Sequence, residues 1–75
     1  MNKINIKFND VTDVNKFVHI LSKYDADFNL YCGSYCVDAK SLLGIMHLGI
    51  NNEIALQMYT DDCEELCREI AKYAA

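Results

Sequence analysis

The spacing of the apolar residues alternates along this chain between a period of two and a period of about 3.6, and this alternation constrains the fold most strongly. A period of two is typical of a strand with one buried face, and a period near 3.6 is typical of a helix with one buried face. The order is strand, helix, strand, strand, helix, strand, helix. In 75 residues without proline or a low-complexity linker, helices over one side of a four-stranded sheet would bury these faces. We therefore predict one α+β domain, residues 1–75, with an open-faced sandwich architecture.

The first half of the chain is predicted to form a strand, a helix and a hairpin. The strand covers residues 2–8, and the helix covers residues 11–23 behind an N-cap at Asp10. A type II′ turn at Gly33-Ser34 joins strands at residues 28–32 and 35–39, so that Cys32 pairs with Tyr35 and Leu30 with Val37. The helix is expected to bury one face of five apolar residues: Val11, Val14, Phe17, Val18 and Leu21.

The last quarter of the chain is predicted to form a strand and a helix. Alternation predicts a strand at residues 54–59. The helix is expected over about residues 62–73, after a cap at Thr60 or Asp61, with acidic residues in its first turns. Its buried face is expected to contain Cys63, Leu66, Cys67, Ile70 and Ala71.

A short central helix is predicted between the hairpin and the last strand. Ser41 is the expected N-cap, because its oxygen can accept a hydrogen bond from a free backbone N–H of the first turn. Gly49 is expected to end the helix, since glycine adopts left-handed conformations. The helix is too short to bury all of its apolar residues, so we expect some of them to form a surface patch: Leu42, Leu43, Ile45, Met46 and Leu48.

Charge and composition exclude several classes of function. The net charge is −4, and the lysines are scattered at positions 3, 7, 16, 23, 40 and 72, so no basic stripe for nucleic acid is expected. The N-terminus lacks the apolar core of a signal peptide, and no apolar run approaches the ~18 residues of a membrane span. We therefore expect a cytoplasmic protein that binds neither nucleic acid nor membrane.

The four cysteines could in principle hold a metal ion, but their positions argue against it. Cys32 and Cys36 fall on opposite faces of the predicted hairpin, while Cys63 and Cys67 are one helical turn apart on a face that packs on the sheet. Reduced thiols without a metal or another cofactor are therefore expected. No set of serine, histidine and carboxylate residues has a recognisable catalytic arrangement, so we do not expect an enzyme.

One segment carries a motif that resembles a known family. Residues 40–49, Lys-Ser-Leu-Leu-Gly-Ile-Met-His-Leu-Gly, resemble the regulatory-serine segment of HPr, the histidine-containing phosphocarrier family of the bacterial sugar phosphotransferase system. The resemblance implies a βαββαβα fold with three helices on one face of a four-stranded antiparallel sheet. It also implies phosphorylation of Ser41 by a dedicated kinase, and partner contacts by the neighbouring side chains: Lys40, Leu42, Leu43, Met46 and His47.

The chain departs from this family at the histidine that carries the phosphoryl group. In HPr that histidine lies at the start of the first helix, in a Gly-x-His-x-Arg-Pro-like loop. Counting back from Ser41 by the family's spacing places Asp10 at this position and Thr12 at that of the arginine. A carboxylate lacks the imidazole nitrogen that attacks phosphate. We expect His19 in the middle of the first helix and His47 near the end of the central helix, and neither position suits phosphoryl transfer.

Three hypotheses for function follow. The first is a non-enzymatic HPr-like adaptor, similar to a catabolite-repression branch of the family that keeps the serine and lacks the histidine. Its partners would be an HPr serine kinase, a transcriptional regulator or another phosphotransferase-system protein. The second is a phosphocarrier with a displaced histidine, and the third is an interaction domain that has kept only the fold. In the third case Ser41 would be a helix cap only.

Overall fold

The computed structural model describes residues 2–60 and 63–75, without the side chain of Asn2. Its strands are β1 (Asn2–Ile6), β2 (Phe28–Cys32), β3 (Tyr35–Asp38) and β4 (Ile54–Met58). Its helices are α1 (Val11–Leu21), α2 (Leu42–Leu48) and α3 (Glu64–Ile70), and a 3₁₀ turn over Ala71–Tyr73 follows α3. The predicted order of elements is therefore confirmed.

The four strands form one antiparallel sheet in the order β1-β4-β2-β3. The hairpin has the predicted register, with Cys32 opposite Tyr35 and Leu30 opposite Val37. Gly33 has φ of +60°, as the first central residue of a type II′ turn requires. The helices cover one face of the sheet, and the other face is open. This arrangement is the predicted α+β open-faced sandwich.

The core lies between the sheet and the three helices. Alternate residues of β4, such as Leu56, and the inner faces of the helices are fully buried there. Three aromatic rings contact one another edge to face, with centroid distances of 5.0 Å for Phe8–Phe17, 5.9 Å for Phe8–Tyr73 and 5.7 Å for Phe17–Tyr73. Such pairs contribute about 0.5–1.5 kcal/mol each beyond the burial of their area. This cluster joins the chain before α1, α1 itself and the C-terminal turn.

Four elements end earlier than predicted, and the hydrogen bonds show the reason for two of them. The strand expected over residues 2–8 ends at Ile6, because the backbone N–H of Lys7 donates to the carbonyl of Tyr73 rather than to β4. The helix expected to reach Lys23 ends at Leu21, because the N–H of Lys23 donates to the residue three positions earlier, Ile20. The strands expected over 35–39 and 54–59 each lose their final residue.

The prediction of burial is wrong for two residues. Val11 is 46% exposed, because side chains in a helix point towards its N-terminus and Val11 is the first helical residue. Ala71 is exposed, because the chain tightens into a 3₁₀ turn there and buries Tyr73 instead.

The start of α3 differs from the prediction where it is described. The N-cap is Cys63, whose own side chain forms no capping hydrogen bond, so Thr60 is not the N-cap residue. Asp61 and Asp62, the alternative cap and the predicted first residue, lie outside the described residues. Glu64 and Glu65 do supply the expected acidic first turn.

Candidate phosphorylation and partner-binding site

Ser41 is the N-cap of α2, as predicted. Its backbone is extended, with φ of −96° and ψ of 105°, and its Oγ accepts a hydrogen bond from the N–H of Gly44 at 3.2 Å. Its carbonyl accepts the first helical hydrogen bond, from Ile45, at 3.0 Å. Gly49 ends the helix, also as predicted, with φ of +90° and ψ of 163°. Both ends of α2 are therefore fixed by the residue types that the sequence places there.

The helix α2 lies very close to β3 at Gly44. A Cβ atom at this position would come within 3.2 Å of both Ser41 Oγ and Val37 Cβ, a distance tighter than ordinary van der Waals contact. Ile45 and Leu48 hold the same helix to the core from its inner side, with exposed fractions of 1% and 8%. The backbone around Ser41 is therefore supported from below, and the outer side of α2 faces solvent.

Three apolar side chains lie on the outer side of α2, and we call Leu42, Leu43 and Met46 the α2 patch. Leu43 is 77% exposed, Leu42 is 39% exposed and Met46 is 38% exposed. His47 is also exposed, in the last turn of the helix. The structure thus brings Ser41, the patch and His47 onto one short helix, as the prediction of a partner-binding surface requires.

Lys40 has a different environment from the α2 patch. Its Nζ donates to the carbonyl of Tyr24 at 2.7 Å and lies 5.5 Å from the centroid of the Phe28 ring. Its backbone N–H donates to Asp38 Oδ1 at 2.8 Å. The ammonium group therefore ties the chain before α2 to the loop after α1. Its position gives Lys40 a structural role beside the predicted role in partner binding.

The start of α1 carries two carboxylates. Asp10 Oδ1 accepts a hydrogen bond from the N–H of Asp13 at 2.9 Å, and Asp13 Oδ2 accepts one from the N–H of Asn9 at 3.0 Å. The predicted N-cap at Asp10 is confirmed. In the described part of the chain, neither of the two ion pairs, Lys23–Glu69 and Arg68–Glu64, involves Asp10. This helix start holds negative charge and has no imidazole.

The two histidines lie near the C-terminal ends of their helices. His19 is exposed in the last turn of α1, not in the middle as predicted, because the helix ends at Leu21. His47 occupies the last turn of α2. Free backbone N–H groups, which can hold a phosphate, occur at the first turn of a helix, so neither imidazole lies beside those of its own helix.

The cysteines are free thiols with different environments. Cys36 is exposed and lies opposite Tyr31, so the two side chains share a face of the sheet. Half-buried Cys32 is the next residue after Tyr31, and successive residues of a strand point to opposite faces. The two thiols are therefore on opposite faces of the sheet. Burial raises the pKa of Cys67, and a hydrogen bond with Cys63 raises it further. Within residues 2–60 and 63–75, no three histidine, cysteine, aspartate or glutamate side chains cluster in a way that could hold a metal ion.

Sequence reasoning missed a polar cluster on the open face of the sheet. The hydroxyls of Tyr31 and Tyr59 are 3.1 Å apart, and Asn29 Nδ2 donates to the Tyr59 hydroxyl at 3.3 Å. Hydrogen bonds of the Tyr31 hydroxyl, first with Tyr59 and then with Cys36, raise the pKa of Tyr31 to about 12, and a hydrogen bond with Asn29 opposes this shift. Asn29 and Tyr59 also line a surface depression of about 410 Å³. The sequence shows only that they alternate with core residues, because the pairing of β2 with β4 brings them together.

Comparisons with known proteins place this chain in a family. The family model described as the PTS HPr component phosphorylation site matches residues 13–75. The chain therefore belongs to the HPr family of the phosphotransferase system, whose members are phosphocarrier proteins. The match begins after Asp10. None of the helices in the described residues is long and apolar enough to cross a membrane.

Two solved structures show how closely the fold follows that family. The crystal structure of HPr-C-His from Thermoanaerobacter tengcongensis is 28% identical, with a TM-score of 0.79 over 96% of this chain and 89% of that chain. The crystal structure of the phosphocarrier protein HPr from Bacillus anthracis str. Ames is 23% identical, with a TM-score of 0.75 over 99% of this chain and 96% of that chain. The second likeness concerns the fold alone.

Proposed function

We propose that this HPr-family chain is a regulatory or adaptor protein without enzymatic activity, which binds partner proteins through the α2 patch under the control of Ser41 phosphorylation. The observation that carries the proposal is the position of the patch. Three apolar side chains, led by Leu43 at 77% exposed, directly follow a serine at the helix start. Burying one such side chain against a partner contributes about 1.5–3 kcal/mol.

Phosphorylation would act on this surface by charge. A phosphate on Ser41 adds about two negative charges beside the α2 patch. The charge would weaken partners that offer only an apolar surface and favour those with an arginine or lysine at the edge of theirs. The candidate partners are an HPr serine kinase, a transcriptional regulator and other proteins of the phosphotransferase system.

The two other hypotheses have less support from the structure. A phosphocarrier with a displaced histidine needs an imidazole near phosphate-binding groups and a cation, whereas His19 and His47 lie in the last turns of their helices. An interaction domain without regulation would leave Ser41 as a cap alone. The α2 patch favours binding in either case, so modification of Ser41 is the property to test.

The test of regulation uses two serines of the same chain. Wild type, Ser41→Ala and Ser34→Ala are incubated with ATP and an HPr serine kinase, and phosphate is mapped by mass spectrometry. Ser34 is an exposed residue in the hairpin turn and serves as the control. We expect one phosphate on wild type and on Ser34→Ala, and none on Ser41→Ala. An unmodified wild type, or equal labelling of Ser41→Ala, would contradict the proposal.

The test of docking compares two exposed apolar residues. Leu43→Ser should raise the KM of the kinase reaction about tenfold or more and change kcat little, because an apolar contact made on docking is lost. Val11→Ser removes a 46% exposed apolar side chain from α1 and should leave KM unchanged. Equal effects of the two substitutions would show that the α2 patch has no special role.

A further inference from the structure

The two edges of the sheet are protected differently. The outer side of β1 is covered by the C-terminal residues: Lys7 N–H donates to the Tyr73 carbonyl at 2.8 Å, and Ala75 N–H donates to the Asn5 carbonyl at 3.0 Å. Ile6 and Ala74 form an antiparallel bridge between these bonds. β3 forms the opposite edge, and no strand in the described residues pairs with its outer side.

The register shows which backbone groups of β3 face outward. The N–H of Ala39 donates inward to the carbonyl of Phe28 at 2.9 Å. Backbone groups of successive residues in an antiparallel strand point to alternate sides, so those of Tyr35 and Val37 also face β2. The N–H and C=O groups of Cys36 and the N–H of Asp38 therefore point away from the sheet, at its free edge, whereas the Asp38 carbonyl accepts a hydrogen bond from the Ser41 N–H at 3.0 Å.

The side chains at this edge do little to prevent pairing with another strand. Natural edges are protected by lysines, prolines, inward-pointing charges or shortness. Residues 33–38 contain no proline and one charged residue, Asp38, so the main protection of this edge is the short length of β3, four residues. On the helix side of the sheet, Tyr35 is 71% exposed beside the half-buried Val37. A large aromatic ring is thus left in water next to an apolar residue.

We propose that β3 pairs antiparallel with β3 of a second copy of this chain, about a twofold axis at Cys36. This register places Tyr35 opposite Val37 of the second copy, and both side chains lie on the helix side of the sheet. Asp38 then lies opposite Ser34 of the second copy, so the carboxylates of the two copies are not opposite each other. The result is a continuous eight-stranded sheet.

The edge suits a second copy because Tyr35 and Val37 of one copy can pair with Val37 and Tyr35 of the other. Each Tyr35 ring would cover Val37 of the second copy, which α2 approaches closely at Gly44, and aromatic–β-branched pairs across strands are favourable. Cys36 would exchange two backbone hydrogen bonds with Cys36 of the second copy across the twofold axis. The N–H of Asp38 would donate to the carbonyl of Ser34 of the second copy. With two such short strands the dimer is weak and depends on protein concentration.

Sedimentation equilibrium of the full chain, under reducing conditions and over a wide concentration range, tests the association. Wild type should shift from monomer to dimer. Tyr35→Lys should weaken dimerisation about tenfold or more, because two copies of the cross-strand pair are lost. Leu43→Lys should not change it. A wild type that stays monomeric, or a dimer lost in Leu43→Lys and kept in Tyr35→Lys, would overturn the proposal, the latter by assigning association to the α2 patch.

Amide hydrogen exchange followed by NMR tests the register and does not depend on a variant that folds. The amides of Cys36 and Asp38 should exchange rapidly in dilute protein and become protected as concentration rises. The amides of Tyr35 and Val37 should be protected at every concentration, because they already bond to β2. A dimer in which Cys36 exchange does not change would place the contact elsewhere and overturn the proposal.

Discussion

The helices α1 and α2 begin with the same capping geometry, but the side chains that cap them differ in chemistry. In both, a side-chain oxygen accepts a hydrogen bond from the backbone N–H three residues later. Asp10 caps α1 with a carboxylate, which is already charged, whereas Ser41 caps α2 with a hydroxyl, which kinases can modify. Of the two caps, only the neutral one offers a hydroxyl for phosphorylation, as proposed for Ser41.

The two helices also use their apolar residues differently. α1 has 11 residues and buries three of them completely, Val14, Phe17 and Leu21. α2 has seven residues, buries Ile45 and Leu48, and leaves the α2 patch exposed. A seven-residue helix has little stability of its own, so α2 depends on its ends and on β3 below it. An exposed apolar surface on a fixed support is what the binding role proposed for the α2 patch would need.

The largest expected difference between the helices is in phosphoryl chemistry. Wild type should gain no phosphate from the phosphoenolpyruvate-dependent enzyme that charges HPr, because Asp10 offers no imidazole nitrogen and Thr12 no positive charge. Intact-protein mass spectrometry should show an unchanged mass, with a phosphorylatable HPr as the positive control. An acid-labile, base-stable phosphate on His19 or His47 would support the phosphocarrier hypothesis instead.

The features of the two helices and of the sheet that the sequence predicted are those that depend on local chemistry. The spacing of apolar residues predicted the order of elements, and Gly33 predicted the hairpin register. Ser41 and Gly49 predicted the two ends of α2 to the residue. Each of these depends on neighbours within a few positions, so the sequence contains the necessary information.

Features that depend on distant parts of the chain were not predictable. The ammonium of Lys40 reaches the carbonyl of Tyr24, 16 residues earlier, only because the sheet brings the two together. Tyr73 replaces Ala71 in the core because Phe8 and Phe17 offer it an aromatic pocket. Its hydroxyl is buried without a hydrogen-bond partner among the described residues. Burial, and then the negative charge of Asp13, raise its pKa.

The ends of the two helices should respond differently to alanine. Gly49 has φ of +90° and ψ of 163°, a region that is essentially restricted to glycine, so Gly49→Ala should destabilise the protein by about 1–3 kcal/mol. A Cβ there would also approach Asn52 Nδ2 to 2.8 Å. Ser22→Ala, at the end of α1, removes only a hydrogen bond to the Val18 carbonyl and should cost about 0.5 kcal/mol or less. Urea denaturation measures both, and equal losses would contradict the strain assigned to Gly49.

The two caps themselves should differ in strength and in salt dependence. Asp10→Ala and Ser41→Ala should each lower the free energy of unfolding by about 0.5–2 kcal/mol. The loss should be larger for Asp10, whose hydrogen bond is charged and measures 2.9 Å against 3.2 Å for Ser41. Because salt screens the charge of Asp10 but not the hydroxyl of Ser41, the difference should shrink at high ionic strength. A difference independent of salt would show that charge does not distinguish the caps.

The smallest effect concerns the contacts that join the end of α1 to α3. A hydrogen bond from the Tyr24 hydroxyl, at 2.7 Å, lowers the pKa of Glu69, desolvation opposes this shift, and Lys23, at 3.3 Å, lowers the pKa further. A carboxyl group with a lower pKa in the folded state contributes stability above its unfolded pKa of about 4.3. That contribution is lost as the pH falls through the folded pKa. Acidification through this range should therefore weaken the contact.

Urea denaturation at a series of pH values from neutral to strongly acidic can isolate this contribution. Glu69→Gln should lower the free energy of unfolding at neutral pH only slightly, because Glu69 is partly exposed and its ion pair is screened by solvent. The difference from wild type should then disappear in acid, where Glu69 is protonated in both the folded and the unfolded protein. Glu65→Gln, on the exposed side of the same helix, is the matched control and should show no such convergence. A Glu69→Gln difference that persists unchanged into acid would mean that the side chain acts through its shape rather than its charge. In that case Tyr24 and Glu69 would join α1 to α3 by packing alone.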